Sequence, residues 1–227
     1  MVAAAIQDIF AEGLYTTEQA ARLARLSPRS LRRWLDGEGE NEPALYRRMP
    51  KSNSAVVGFV DLIQALAIRA IRKSGTLSLQ KIRETIIEAE KAGIRYPFAR
   101  PHKTFLFSDD VVIEMADGTI IGVTGKYKQQ HLIRPVIEVY LEDLTFDIFG
   151  WPTRYTPLRE ENREIIIDPK IQYGAPVVMP RGYTVSSLVG AVQSEGSVSA
   201  AANAYDVPEA DVRFALKYDD LLAGIAG

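Results

Sequence analysis

The chain has no cysteine among its 227 residues. That excludes a disulfide framework, a thiolate zinc site and a thiol nucleophile. Histidine is nearly as scarce: His102 and His131 are the only two, too few for a multi-histidine metal centre. No uncharged run approaches the ~18 apolar residues of a membrane span. The opening MVAAAIQDIF lacks the basic end of a signal peptide. There is no P-loop and no GxGxxG fingerprint. Carboxylate pairs such as Asp109-Asp110 and Asp219-Asp220 read as solvated turns. The expectation is a protein that is not an enzyme, carries no metal or cofactor, and works in a reducing cytoplasm.

What is present is ordinary in amount and uneven in placement. Hydrophobic residues make up 47% and charged residues 25%, as in a soluble globular protein of one or two domains. The net charge of −2 hides an asymmetry. Residues 1–104 carry 17 Lys and Arg against 11 Asp and Glu, whereas residues 105–227 carry 10 against 18. A basic front and an acidic back predict an anionic partner for one and a different partner for the other.

The basic half contains the most informative stretch, Thr16 to Gly37. Thr16 is an N-cap with Gln19 placed to close a capping box. Ala20, Leu23 and Ala24 follow at helical spacing. Ser27 is a second N-cap, with Pro28 at the first helical position and Gly37 as a stop. Leu31, Trp34 and Leu35 form an inner face, and Arg29, Arg32 and Arg33 lie opposite. Small Ala21 at the crossing point completes the spacing of a helix-turn-helix. Arg25 stands at the turn position where Gly is usual, a cost of roughly 1 kcal/mol if it is left-handed. Arginine matches guanine edges and phosphate. Arg29 and Arg32 are therefore expected at base edges or phosphate, Ser30 and Arg33 at phosphate, with Thr17 beside them. Residues 38–58 read as a loop or small β-wing whose Arg47, Arg48 and Lys51 grip phosphate, although a solvated basic loop has the same composition.

Helices are predicted over residues 3–12, Phe59 to Ser74 and Ser78 to Ala92. IRYPFARP, Ile94 to Pro101, reads as a linker. Short β-rich runs follow at 104–107, 111–115 and 119–123, with Asp117-Gly118 a hairpin signal. A helix over Gln129 to Leu141 and strands at Leu144–Phe149 and Thr153–Thr156 complete this block. Helices near 184–194, 198–205 and 208–217 end the chain.

Tyr15-Thr16-Thr17-Glu18-Gln19-Ala20-Ala21-Arg22-Leu23, Leu26-Ser27-Pro28-Arg29-Ser30-Leu31-Arg32, Asp61-Leu62 through Gly75, and Leu77 through Arg83 together resemble the MerR-type winged helix-turn-helix. The likeness covers roughly residues 15–92. Arg33-Trp34 stands where that family has a pair of aromatics, and its long dimerising helix has no equivalent here. Further on, a strand ending in Asp168-Pro169, the loop Gly174-Ala175-Pro176, a turn at Gly182 and three helices resemble the domain-of-unknown-function 433 family. The whole chain resembles the VapB45-type antitoxins. That resemblance implies operator DNA and a ribonuclease toxin of PIN-like fold as partners.

The last helices repeat the spacing of the first motif. Adding 181 to Ala20, Ala21, Ala24, Leu26 and Leu31 reaches Ala201, Ala202, Tyr205, Val207 and Val212. The outward faces differ: Arg29, Arg32 and Arg33 become Ala210, Arg213 and Phe214, flanked by Glu209, Asp211, Asp219 and Asp220. DNA carries one negative charge per ~1.7 Å and repels such a helix. The second motif is expected to serve protein contact or dimerisation through Arg213, Phe214 and Tyr218, the two aromatics being either an exposed pair or core.

These readings predict an α+β, mainly α protein. Residues 1–97 form a winged helix-turn-helix DNA-binding domain, 98–160 a small α+β linking block, and 161–227 a C-terminal three-helix domain with a second helix-turn-helix. The function expected is that of a type II antitoxin, a homodimer that neutralises its PIN-like toxin and represses its own operon through double-stranded operator DNA. The competing expectation is a one-component transcriptional regulator sensing a small molecule through residues 104–227.

Overall fold

The computed structural model describes residues 13–38, 43–46, 56–74, 78–101, 103–107, 110–114, 120–122 and 142–224. The helices expected at 3–12 and 129–141, the hairpin signal Asp117-Gly118, the wing residues Arg47, Arg48 and Lys51, and both histidines lie outside them. The fold is α+β and mostly helical. It divides into two units, Met1–Pro152 and Thr153–Gly227.

In the first unit, β1 (Gly13–Thr16) leads into α1 (Thr17–Ala24) and α2 (Pro28–Asp36). β2 (Val56–Gly58) pairs antiparallel with β1, with Tyr15 opposite Val57. α3 (Phe59–Ser74) is the centre of the unit. Its residues 59–68 are all buried, as expected of a helix that is apolar on every side. α4 (Leu79–Lys91) starts at Ser78, whose hydroxyl accepts the Lys81 N–H at 3.2 Å.

Two polar side chains inside α3 organise its surroundings. Asp61 is 3% exposed. Its carboxylate accepts the Gly58 N–H at 3.2 Å and the Tyr96 hydroxyl at 2.9 Å, and its backbone carbonyl accepts the Tyr46 hydroxyl at 3.0 Å. Gln64 Oε1 accepts the Phe98 N–H at 3.1 Å. The segment expected as a linker is therefore part of the core. Tyr96, Pro97, Phe98 and Ala99 are buried and form a 3-10 turn over Pro97–Ala99. Prolines suggested punctuation, but Tyr96 and Phe98 carry the apolar area and the hydrogen bonds that seat the turn on α3.

β3 (Lys103–Phe107), β4 (Asp110–Glu114) and β5 (Ile120–Gly122) form an antiparallel sheet in sequence order, and α4 lies against β4 and β5. These strands thus belong to the first unit's body rather than to a separate linking block. β6 (Leu144–Phe146) is shorter than the expected strand. Asp147 Oδ1 accepts the Phe149 and Trp151 N–H groups at 2.9 and 2.8 Å and turns the chain. Gly150 has φ 74°, and a Cβ there would meet Pro101 Cδ at 3.2 Å, so the turn excludes a side chain twice over.

In the second unit, β7 (Pro152–Glu160), β8 (Arg163–Ile167), β9 (Val177–Met179) and β10 (Tyr183–Thr184) run in the order β10-β9-β8-β7. Glu160 pairs with Arg163, so the boundary expected at 160/161 falls inside a hairpin, and β7 belongs with the C-terminal unit. α5 (Val185–Glu195), α6 (Val198–Tyr205) and α7 (Glu209–Ala223) pack on one another, with α7 also against β8 and β9. Asp211 is 4% exposed in the first turn of α7, and its carboxylate meets Arg163 of β8 and Arg181 of the β9–β10 turn.

Replacing Asp61 by Ala removes the carboxylate that accepts the Tyr96 hydroxyl and the Gly58 N–H, at an expected cost of about 2–3 kcal/mol. Tyr96→Phe removes one bond and should cost about 1 kcal/mol. Urea denaturation of the two variants checks the order, and equal, near-wild-type midpoints would refute the role given to the carboxylate.

Candidate nucleic-acid interface

Local chemistry fixes the first hairpin. Thr16 Oγ1 accepts the Gln19 N–H at 3.2 Å, and Gln19 Oε1 accepts the Thr16 N–H at 2.9 Å, closing the capping box. Arg25 is left-handed, at φ 53° and ψ 48°. Its N–H reaches the Ala21 and Arg22 carbonyls, and its own carbonyl accepts Arg69 Nε at 3.0 Å. Arg69 of α3 thus holds the turn from below. Ser27 Oγ accepts the Ser30 N–H at 3.1 Å to start α2. Ala21, Leu31, Trp34 and Leu35 are buried, and the Trp34 carbonyl accepts the Leu45 N–H at 2.7 Å.

With that face turned inward, the arginines face out. The side chains of Arg29, Arg32 and Arg33 are 87, 60 and 45% exposed. Each lies near a carboxylate: Arg29 Nε is 3.5 Å and Arg33 Nε 4.0 Å from Glu38, and Arg32 Nη2 is 3.7 Å from Glu18. Exposed pairs of this kind are worth about 0–1 kcal/mol, so they hold the arginines only weakly. Ser30 Oγ accepts the Ser27 hydroxyl at 2.8 Å and keeps its own proton to donate. Thr17 departs from expectation. It is 7% exposed, so its side chain is not part of this face. Arg83 of α4 was not anticipated. It lines the same cleft as Arg33 and Trp34, with Nη2 donating to the Pro43 carbonyl at 3.1 Å. Its spacing within α4 resembles any solvated helix face, so the sequence carried no signal for it.

The second hairpin reproduces the first at an offset of 181 residues. α1 and α6 begin and end at matching positions, and α2 and α7 begin at matching positions. Ser197 caps α6 as Thr16 caps α1, its hydroxyl accepting the Ala200 N–H at 3.1 Å. Asp206, at φ 50° and ψ 50°, is left-handed like Arg25. The Val207 N–H reaches the Ala202 carbonyl at 3.0 Å, as that of Leu26 reaches Ala21 at 2.8 Å.

The outer faces decide the choice left open for the two aromatics and correct their expected partner contact. Phe214 and Tyr218 are 2 and 1% exposed, so they are core and not an exposed aromatic pair. They sit on the side of α7 that meets α5 and the sheet, because the first turn's Asp211 is turned inward to the two arginines. Of the residues expected to contact a partner, Arg213 alone faces out, its side chain 65% exposed and bonded to Glu209 at 2.9 Å. Hydrogen bonds from Arg213 and then Ser199 hold the Glu209 carboxyl below the usual carboxylate range. The charge division also moves. Residues 105–152, in the first unit, hold 3 basic and 8 acidic residues, and residues 153–227 hold 7 and 10. Much of the acidity therefore lies outside the second unit.

Among the described residues no group of three or more His, Asp or Glu side chains is placed to hold a metal ion, and no helix is long and apolar enough to cross a membrane.

The chain is 23% identical over 229 residues to the protein of Mycobacterium tuberculosis (strain ATCC 25618 / H37Rv) named "Putative antitoxin VapB45", covering 89% of this chain and 92% of that one. Its fold is that of the crystal structure of Rv2018 from M. tuberculosis, with a TM-score of 0.62 and 18% identity over 90% of this chain and 98% of that one. Within the second unit, residues 165–218 match the family described as "Protein of unknown function (DUF433)".

Proposed function

We propose that the protein is a type II antitoxin without catalytic activity of its own. In this reading the first unit is a MerR-like winged helix-turn-helix that binds operator DNA and represses its own transcription. The second unit holds a PIN-like ribonuclease toxin, and the chain acts as a cytoplasmic homodimer. One observation carries the reading: the same hairpin occurs twice in one register, and only the first copy carries an exposed arginine face. Likeness to a protein named as an antitoxin supports it.

On DNA, α2 enters the major groove with Arg29 and Arg32 at base edges or phosphate. Ser30 and Arg33 take phosphate, Arg83 extends that track, and the wing residues Arg47, Arg48 and Lys51 grip the flanking backbone. Glu18 and Glu38 release their arginines as the phosphates arrive.

The toxin side needs an exposed anchor in the second unit, and Tyr173 fits. It is 86% exposed. It sits among three successive left-handed residues, Gln172 at φ 48°, Tyr173 at φ 52° and Gly174 at φ 76°. Non-glycine residues pay of order 1–3 kcal/mol each for that conformation. A tyrosine held in solvent on such a turn has the chemistry of an interface hot spot.

Arg29→Ala and Arg32→Ala should each cost about 1–3 kcal/mol of operator affinity. Glu38→Gln should instead tighten binding by up to about fivefold, since it removes an exposed competitor worth no more than about 1 kcal/mol. Gel shifts read both signs, and unchanged binding with both arginines replaced would remove α2 from the account.

Co-expression with the product of the adjacent gene should give a complex that co-purifies with the full chain. Tyr173→Ser should weaken it by about tenfold or more. If no complex forms with that product, the antitoxin assignment is wrong.

A further inference from the structure

α7 has a second, outward face, on which Arg213 is bonded to Glu209 one turn earlier at 2.9 Å, an exposed pair that an opposing carboxylate can replace. Val212, Ala215, Tyr218 and Leu222 are buried on its inner side. On the opposite side Arg213, Leu216, Lys217, Asp220 and Leu221 line a shallow open groove. Leu221 is among the exposed large hydrophobic residues, and Arg213 and Lys217 have side chains 65 and 52% exposed. The Lys217 ammonium is already engaged by Glu160 of β7.

The charges on this face are complementary to themselves when the helix is reversed. An antiparallel copy of α7, centred between Leu216 and Lys217, sets Arg213 against Asp220 at both ends of the contact. The same register sets Ala210 against Ala223, where small side chains let the helices approach. Leu216 meets the aliphatic stem of Lys217, whose charge is carried aside to Glu160. A partner whose surface carried one sign of charge would satisfy either Arg213 or Asp220 and oppose the other. The order of charges thus selects a second copy of this chain over a uniformly basic or acidic surface.

We propose that the outward face of α7 is a two-fold interface between copies of this chain, with Arg213 of each copy paired to Asp220 of the other. This deepens the homodimer of the proposed function and rests on it. A 15-residue helix is about 22 Å long. Its face alone is smaller than the roughly 800 Å² per partner of a standard interface, so the dimer is expected to dissociate in the micromolar range.

The test uses the full chain in sedimentation velocity across that range. Arg213→Asp and Asp220→Arg should each weaken the dimer by about tenfold or more. The double variant should restore it, because reversal of both charges recreates the pairing across the two-fold axis. Restoration also separates the contact from any folding defect of the single variants. The absence of native cysteine allows a second readout. Leu216→Cys, near the axis, should be trapped as a covalent dimer by a short bis-maleimide, whereas Asn203→Cys on the exposed side of α6 should not. A chain that stays monomeric overturns both this interface and the dimeric part of the proposed function. A dimer indifferent to the charge reversals and untrapped at position 216 overturns the α7 assignment alone, as does a double variant no tighter than the single ones.

Discussion

A buried carboxylate at the third residue of a long helix anchors each unit. In the first, Asp61 collects the Gly58 N–H and the Tyr96 hydroxyl, and its own carbonyl takes the Tyr46 hydroxyl. Tyr46 and Tyr96, 15 and 35 residues away, are thereby fixed to the start of α3, together with the adjoining Gly58. In the second, Asp211 collects Arg163 and Arg181 from the sheet. Both positions lie in the first helical turn, where the macrodipole favours a negative group. The two sites differ in what replaces water. Asp61 accepts bonds from the neutral Gly58 N–H and Tyr96 hydroxyl, whereas Asp211 faces the cations Arg163 and Arg181. Removing one partner of a buried ion pair costs about 3–5 kcal/mol, because the other charge stays buried. The orientation of α7, and with it the burial of Phe214 and Tyr218, follows from that demand.

The two hairpins share a backbone and differ most in their outward faces. Their caps, their left-handed turns at Arg25 and Asp206 and their small crossing residues Ala21 and Ala202 agree at one offset. The turn is tolerated at Arg25 because Arg69 donates to its carbonyl from α3, and at Asp206 because Asp adopts the left-handed region more readily. Packing needs only the inner positions, which leaves Arg29, Arg32 and Arg33 in one copy and Ala210, Arg213 and Phe214 in the other free to diverge. The third position shows how far that freedom runs: Arg33 is exposed, whereas Phe214, its counterpart, has been drawn into the core of the second unit.

What was legible in the sequence is what is local. The caps at Thr16 and Ser27 and the extent of α3 and α6 depend on residues within one or two turns. What was not legible depends on contacts across the chain. β1 and β2 are four and three residues long, too short for alternation to register, and exist because they pair with each other. Tyr96 and Phe98 look like linker residues until Asp61 and Gln64, more than thirty residues earlier, are placed beneath them. The burial of Thr17, Phe214 and Tyr218 turns on which side of a helix meets its neighbours, and periodicity alone leaves that choice open. The charge asymmetry was real, but its division followed the chain's midpoint, whereas the fold divides at residue 152.

The proposed DNA reading and the proposed α7 interface are linked by energetics. A face of three arginines neutralises few phosphates, and the electrostatic part of binding scales with that number, at a salt slope of about −0.9 per phosphate. In the proposed reading α2 alone would bind weakly at physiological salt, with the exposed Glu18 and Glu38 opposing it. Two hairpins held in one assembly act on adjacent half-sites at an effective concentration that can reach the millimolar range, provided the geometry allows both to engage. A self-association in the micromolar range then makes occupancy steeply dependent on protein concentration. A repressor built this way responds to its own abundance, and the weakness of each contact, read alone a defect, is what sets the threshold.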